Sequence, residues 1–465
     1  MTSTVHPTPV EAVRLADPYP FYARLVAERP FAFDEALGAW VAADAAAVRA
    51  VLGSGALRVR PVAEPVPAGI AGTAAGEVFG ELVRMTDGAA AARLKGAVAG
   101  ALARADLGRA AALAARYTRE ALAQGGEVPY EELMFGVPAR VVAALSGLTD
   151  GADREAARAI GDFVRCVPAS ATQDDHRAAV AAATRLRELL GPALTAAATA
   201  PAPEPATPPT PAPGPDSAPS PGLRAAPGRA PAAGNAAPGA RPGSGPSSGP
   251  PSGPAGTAAP AHAAASGPAS TPGTSAGGFA CVAPYPAGQA NGLLRELVVA
   301  AERSGRPDPG PLLSNAIGFL SQTYDATAGL IGNTLVALAR GADTPDTGAL
   351  VREVVRYDAP VQNTRRFAAE PFTHAGSTVE PGQQLLVLLA AANRDPAVNP
   401  DPHALSPGRV NPAVFTFGAG AHRCPGGELA TALATAVVTE LRTAGWSTTA
   451  TPAYRPLANA RIPLL

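Results

Sequence analysis

Apolar residues recur at spacings of three and four positions along most of this chain, and that period is typical of α-helices. Two short runs instead have strand character: Ala39–Ala42, and residues 384–389, which lie between a Pro-Gly pair and the sequence N-R-D-P. We therefore expect a mainly α protein with small β-sheets and no internal repeats. The clearest predicted helices span residues 110–124, 153–164, 175–194, 292–303, 312–340 and 428–441.

Residues 199–278 break this pattern, because they are almost wholly Pro, Ala, Gly, Ser and Thr. Such a segment buries too little apolar surface to offset its ordering entropy, and its prolines block helix and sheet. We expect a disordered insertion that interrupts one domain, with residues 1–198 and 279–465 forming the two parts of that domain. A docking site for a proline-recognising partner is the alternative role for the insertion.

Composition narrows the class of protein. The net charge of −1 does not favour nucleic-acid binding, which needs a clustered basic excess. Three distant cysteines do not suggest a disulfide framework, and they suit a reducing compartment. The first residues lack the pattern of a signal peptide, and no apolar run approaches the roughly 20 residues that span a bilayer. We expect a soluble, cytoplasmic protein without nucleic-acid or membrane partners.

The sequence F-G-A-G-A-H-R-C-P-G, residues 417–426, holds the most informative residue, Cys424. Glycines let the backbone wrap closely around its sulfur, and the helix predicted to follow can stabilise a thiolate through its N-terminus. Cys424 is therefore a candidate axial metal ligand. A buried structural cysteine in a turn is the alternative, since isolated cysteines usually behave as small core residues.

This loop resembles the haem-binding loop of the cytochrome P450 family, in particular of its soluble bacterial members. Phe417 stands seven residues before the cysteine, Gly420 four before it and Gly426 two after it. The resemblance implies the cytochrome P450 fold, haem b (iron protoporphyrin IX) as cofactor and Cys424 as the metal ligand. It also implies a set of cofactor-binding residues: Cys424, His422, Arg366, Lys95, Phe417, Gly418, Gly420 and Gly426.

Glu353 and Arg356 lie three residues apart in a predicted helix, in the place of the family's E-x-x-R pair. In relatives this pair bonds to a downstream basic residue and braces the proximal side of the haem. Ala404 stands at that third position here, so His403, Arg394 and Arg409 are the candidates for it. A surface salt bridge is the alternative interpretation of the pair.

The two haem propionates need cationic or hydrogen-bonding partners. By resemblance these are Arg366, in T-R-R-F-A, and His422; Arg365 is the neighbouring competitor. A further histidine of relatives corresponds to Ala91, whereas Lys95 keeps the basic position that follows it. One propionate contact is therefore expected to be missing.

The predicted helix 312–340 resembles the helix that crosses the distal face of the haem, where relatives carry an acid followed by threonine. Asp325 takes the position of the acid and Ala326 that of the alcohol. Because the acid–alcohol pair delivers protons, Asp325, Thr327, Thr323 and Gln322 are the candidate catalytic residues. A shift of one residue would give Thr327 the role of the alcohol, and an ordinary buried helix remains the alternative.

The resemblance implies a monooxygenase that oxidises a small organic, secondary-metabolite-like substrate with O2. Electrons would come from NAD(P)H through a separate ferredoxin reductase and a ferredoxin, since the sequence shows no flavin or iron–sulfur motif. Two alternatives remain open. One is a haem protein of weak or no oxygenase activity that acts as a sensor or accessory partner. The other is atypical oxidative chemistry, such as oxidative coupling or peroxide-driven oxidation.

Overall fold

A computed structural model describes residues 7–125, 127–200, 292–305 and 308–465. The described part is mainly helical, as the sequence predicts. Its α-helices are α1 Tyr19–Glu28, α2 Ala45–Gly53, α3 Ala74–Glu81, α4 Ala89–Ala103, α5 Leu107–Leu122, α6 Val137–Leu145, α7 Ala152–Val164, α8 Gln173–Thr199, α9 Leu293–Arg303, α10 Pro309–Ala339, α11 Thr347–Tyr357, α12 Leu389–Asn393 and α13 Gly427–Thr443.

Two small sheets accompany the helices. Their strands are β1 Phe31–Asp34, β2 Ala39–Ala42, β3 Leu57–Arg58, β4 Thr364–Ala368, β5 Phe372–His374, β6 Ser377–Val379 and β7 Gln384–Val387. The larger sheet has the order β1-β2-β7-β4-β3, with β2 and β7 parallel and the other pairs antiparallel. Strands from both sides of the region between residues 200 and 292 therefore hydrogen-bond in one sheet.

Helix α10 is the longest of the described helices and lies centrally, packed against α3, α6, α11 and α13. Asp308 precedes Pro309, whose fixed φ angle suits the first turn of a helix. The helix is apolar around most of its circumference, which is typical of a helix buried on all sides. Its middle, residues 321–326, is only partly buried.

The ends of several elements differ from the prediction. The run 384–389 forms a strand only as far as Val387, because Leu389 begins the short helix α12. The helix predicted for residues 110–124 ends at Leu122, and α8 continues through Pro192 to Thr199. Apolar periodicity locates an element well, but its ends depend on capping contacts and on neighbouring elements.

The predicted insertion, residues 199–278, lies outside the described residues apart from Thr199 and Ala200, which end α8. The described residues on its two sides belong to one compact unit. Within the described ranges, no helix combines the length and the apolarity that a membrane span requires.

Candidate active site

The loop around Cys424 is held by its own backbone. The Cys424 N–H donates to the carbonyl of Phe417 at 2.7 Å, and the N–H of Gly418 donates to Phe415 at 2.7 Å. Gly426 then caps the start of α13. Among the described cysteines, Cys166 is buried and Cys424 is exposed. The loop therefore presents one accessible sulfur directly before a helix N-terminus.

Gly420 shows why this loop needs glycine. Its φ of +64° lies in the left-handed region, and a Cβ added there would lie 2.5 Å from the carbonyl oxygen of Leu52. At Gly427 an added Cβ would lie 3.3 Å from the ring of Phe417. The Leu52 backbone and the Phe417 ring therefore press against the loop from two sides and fix its path.

His422 lies beside Asp87, an acid that the sequence analysis did not single out. Its Nε2 is 3.0 Å from Oδ1 of Asp87, whose Oδ2 accepts the N–H of Val59 at 3.0 Å. Burial raises the pKa of Asp87, but the hydrogen bonds from His422 and Val59 outweigh it, so the pKa lies below its ordinary value. The Nδ1 atom of His422 is buried and has no partner in the described part of the chain.

Lys95 and Arg366 form a basic pair near the sulfur. Burial lowers the pKa of Lys95, and the positive charge of Arg366 lowers it further, while the charge of Cys424 opposes both. Burial also lowers the pKa of Arg366, and Asp87 is the acid that opposes that shift. The partly buried Lys95 and the buried Arg366 would both be stabilised by anions bound beside them.

These residues fit a haem group. The accessible Cys424 sulfur can bind the iron, and the cations of Lys95 and Arg366 can neutralise the two propionates. The buried and unpartnered Nδ1 of His422 offers a further hydrogen-bonding atom. Ala91 adds no polar group, so the propionate set lacks the histidine of relatives.

The predicted pair Glu353 and Arg356 is buried on α11 rather than exposed. Arg356 Nη2 and Nε donate to the Glu353 carboxylate at 2.6 and 3.1 Å. Arg356 Nη1 also donates to the carbonyl of Pro402 at 2.8 Å. The alternative of a surface salt bridge is therefore wrong.

Of the three candidates for the third position, Arg409 contacts the pair, since its Nε lies 3.4 Å from Glu353. His403 and Arg394 lie beside each other instead, at 3.5 Å. The guanidinium of Arg394 stacks between the rings of Tyr19 and Tyr357.

The four predicted distal residues all lie in the middle of α10. Gln322 Nε2 donates to the carbonyl of Gly318 at 3.1 Å, and Thr323 Oγ1 donates to Phe319 at 2.7 Å. Thr327 is wholly buried, and its hydroxyl has no hydrogen-bond partner among the described residues. The helix thus places the methyl group of Ala326, not a hydroxyl, next to Asp325, and the unpartnered hydroxyl of Thr327 is buried.

Asp325 lies in a charged setting that the sequence analysis missed. Burial raises its pKa, the charges of Arg455 and Arg84 oppose the shift, and Glu131 adds to it. Arg455 is ion-paired with Glu131 and stacks on the ring of Phe135. These residues come from distant parts of the chain, so no local pattern could have indicated them.

Comparison with known proteins agrees with this site. Residues 338–450, which contain α11 and the Cys424 loop, match the family model of cytochrome P450. A putative cytochrome P450 133B2 from Xylella fastidiosa is 35% identical over 146 residues, which are 30% of this chain and 36% of the relative. This part of the chain is therefore similar to cytochromes P450. The cofactor of that family is haem b, bound as a haem-thiolate group.

Two further matches agree with this likeness. The vitamin D(3) 25-hydroxylase of Pseudonocardia autotrophica is 34% identical over 148 residues, 30% of this chain and 37% of that one. The crystal structure of CalO2 superposes with a TM-score of 0.69 at 22% identity, covering 99% of this chain and 97% of CalO2. The chain spans about a third of the length of the curated relatives it matches, while the structural likeness extends over the whole fold.

Proposed function

We propose that this protein is a cytochrome P450, a haem-thiolate monooxygenase that oxidises a small organic, secondary-metabolite-like substrate with O2 in the cytoplasm. Its electrons would come from NAD(P)H through a ferredoxin reductase and a ferredoxin. The similarity to a protein named as a vitamin D(3) hydroxylase supports the reaction type. The single observation that carries the proposal is the accessible Cys424 sulfur beside the basic pair Lys95 and Arg366.

When bound, haem supplies the oxidising chemistry, which a thiolate ligand favours. The protein's own residues hold and orient it. Cys424 would bind the iron, while Lys95, Arg366 and His422 would hold the propionates. The buried pair of Glu353 and Arg356 stiffens the segment that leads to the cysteine loop, because it fastens α11 to the carbonyls of Pro402 and Ala404.

Proton delivery would begin at Asp325. Its raised pKa keeps a larger share of the carboxyl protonated near neutral pH than in an exposed aspartate, so it can donate a proton. The neighbouring hydroxyl groups do not extend this route: Ala326 has none, Thr323 donates its own to Phe319, and that of Thr327 is wholly buried. The proton would therefore pass from Asp325 through water or through a group of the substrate.

The same geometry favours the second candidate function, a haem protein of weak oxygenase activity that serves as a sensor or accessory partner. Gln322 and Thr323 both bond to backbone carbonyls of their own helix, so neither is free to replace the missing alcohol. The two functions differ in how tightly electron uptake is coupled to product formation. A monooxygenase passes electrons into product, whereas a sensor that is reduced releases them as peroxide.

Two measurements test the proposal. Cys424→Ser should abolish the thiolate-type Soret band of the reduced CO complex, while Cys166→Ala, a change at the buried cysteine, should keep it. Survival of the band in Cys424→Ser would contradict the ligand assignment. Turnover with NAD(P)H and a ferredoxin system should then yield oxidised product, and quantitative conversion of the electrons to peroxide would favour the second candidate.

A further inference from the structure

Residues 82–87 connect helix α10 with the Cys424 loop, and hydrogen bonds hold the segment at both ends. At one end the Val83 N–H donates to Oδ1 of Asn315 on α10 at 3.0 Å, and Asn315 Nδ2 donates to the carbonyl of Glu81 at 2.8 Å. At the other end Asp87 lies 3.0 Å from His422 of the cysteine loop. Arg84 therefore lies on a short, fixed segment between the distal helix and the cysteine loop.

Arg84 makes no hydrogen bond and no ion pair with the other described residues. Its Nε is buried without a hydrogen bond, and it takes part in no ion pair there. The two most deeply buried arginines of the described residues are ion-paired, Arg356 with Glu353 and Arg461 with Asp358, whereas the partly buried Arg84 is not. A guanidinium that is desolvated without an anion is costly, so a partner from outside the chain is expected.

Arg84 follows Val83, whose N–H is bonded to α10, so it lies at the α10 end of the segment 82–87. Burial lowers the pKa of Arg84, and the charge of Asp325 opposes the shift more than the charge of Cys424 does. Arg366, by contrast, responds to Asp87, and Lys95 responds to Cys424 and Arg366. The backbone bond of Val83 to α10 and the charge of Asp325 together associate Arg84 with the helix that carries Asp325.

We propose that Arg84 binds a carboxylate of the substrate, and that the protein therefore acts on an organic acid. This inference rests on the proposed function, because it assigns the class of its substrate. A guanidinium binds a carboxylate through two parallel hydrogen bonds, which fixes orientation as well as affinity. The acid group would lie against the segment 82–87, and the oxidised carbon would lie elsewhere on the substrate.

The test uses probes that report binding without turnover. In ω-(imidazol-1-yl)alkanoic acids of graded chain length the imidazole coordinates haem iron and shifts the Soret band, while the far end carries a carboxylate. The matching carboxamides have the same shape without the charge. In the wild-type holoprotein the acid should bind at least about tenfold more tightly than the amide at the best-fitting chain length.

Variants identify the residue responsible. Arg84→Gln should abolish the preference for the acid, and Arg84→Lys should keep part of it. Arg93→Gln is the matched control, because it removes one charge from the exposed face of α4 and should leave the preference unchanged. Equal binding of acids and amides by the wild type at every chain length would overturn the proposal, as would a preference that persists in Arg84→Gln.

A haem propionate is the other possible source of a carboxylate for Arg84. In that case Arg84→Gln would transfer its haem to apomyoglobin faster than the wild type and keep the same ratio of acid to amide affinity, a result that would overturn the proposal. Failure of the proposed function looks different. If the wild-type protein prefers acids through Arg84 but forms no product, the carboxylate site stands and the monooxygenase assignment is wrong.

Discussion

Glu353 and Arg356 form an ion pair of 2.6 Å in which the side chains are 2% and 0% exposed. The carboxylate also accepts the N–H of Ser406 at 3.0 Å, and Arg356 also donates to the carbonyl of Ala404 at 3.0 Å. One pair thus joins α11 to the stretch before the cysteine loop. Helix α11, which is distant from Cys424 in the sequence, therefore helps to hold the segment that leads to the cysteine loop.

Glu353→Ala should strongly destabilise the protein. The variant leaves the Arg356 guanidinium buried without its carboxylate, and breaking a buried pair in this way costs about 3–5 kcal/mol. Denaturant unfolding of the holoprotein, followed by helix content and by the Soret band, measures the loss. Arg352→Ala on the same helix is the control, because its contact with Asp346 is exposed, and little change is expected there. Similar losses in both variants would contradict the special role of Glu353.

Gly420→Ala should weaken the cysteine loop. The substitution forces alanine into a φ of +64° and places its Cβ 2.5 Å from the Leu52 carbonyl, so a loss of roughly 1–3 kcal/mol and faster haem release are expected. Gly96→Ala is the control, since its Cβ would enter open space within α4 and should stabilise the helix slightly. Haem transfer to apomyoglobin and unfolding midpoints distinguish the two. An unchanged haem dissociation rate in Gly420→Ala would contradict the strain argument.

Ala326→Thr should reduce the share of electrons lost as peroxide. The new hydroxyl would stand next to Asp325, the carboxyl whose pKa burial raises, and would supply the alcohol that this helix lacks. Peroxide formed per NAD(P)H consumed is the measurement. Ala326→Val matches the shape of threonine without its hydroxyl and should show no gain. An equal gain with valine would mean that bulk, not proton transfer, controls the leak.

Asp325→Asn should change the pH dependence of stability in a defined direction. Since the folded protein holds the pKa of Asp325 above its unfolded value, the native state binds the extra proton, and stability falls as pH rises from the unfolded pKa through the folded pKa. Asp325→Asn has no carboxyl group at this position, so its stability should not show this decrease with rising pH. Compared with wild type, it should be relatively more stable above that window than below it. Unfolding curves at a series of pH values test this, and parallel profiles for the two proteins would contradict it.

The sequence predicted the parts of the site whose residues lie close together in the chain. The loop spans only residues 417–426, and Glu353 and Arg356 lie three residues apart, so a local motif indicates each of them. In the structure the loop is held by its own backbone hydrogen bonds, and the pair is buried. The main helices were predicted for a similar reason, because apolar periodicity is local.

Arg84, Asp87 and Arg455 were missed because their roles arise from tertiary placement. The neighbours of Arg84 in the sequence, Val83 and Met85, form no pattern that distinguishes it from a solvent-exposed arginine. Its significance comes from the hydrogen bond of Val83 to Asn315, more than two hundred residues away. Likewise, the choice of Arg409 over His403 depends on how residues 400–410 fold against α11.

The hydrogen bonds of Arg295 and Arg461 close the fold at two places. Arg295 Nη1 donates to the carbonyl of Ala197, so α8 and α9 meet where the chain leaves and re-enters the described body. Arg461 Nη1 donates to Val13 and Leu15, which brings the start of the described chain beside its end. At both places, therefore, residues that are far apart in the sequence lie side by side. A circularly permuted chain could therefore start at α9, pass through a short linker between the two ends of the described chain, and finish at α8. We expect it to keep the same contacts between its helices and strands.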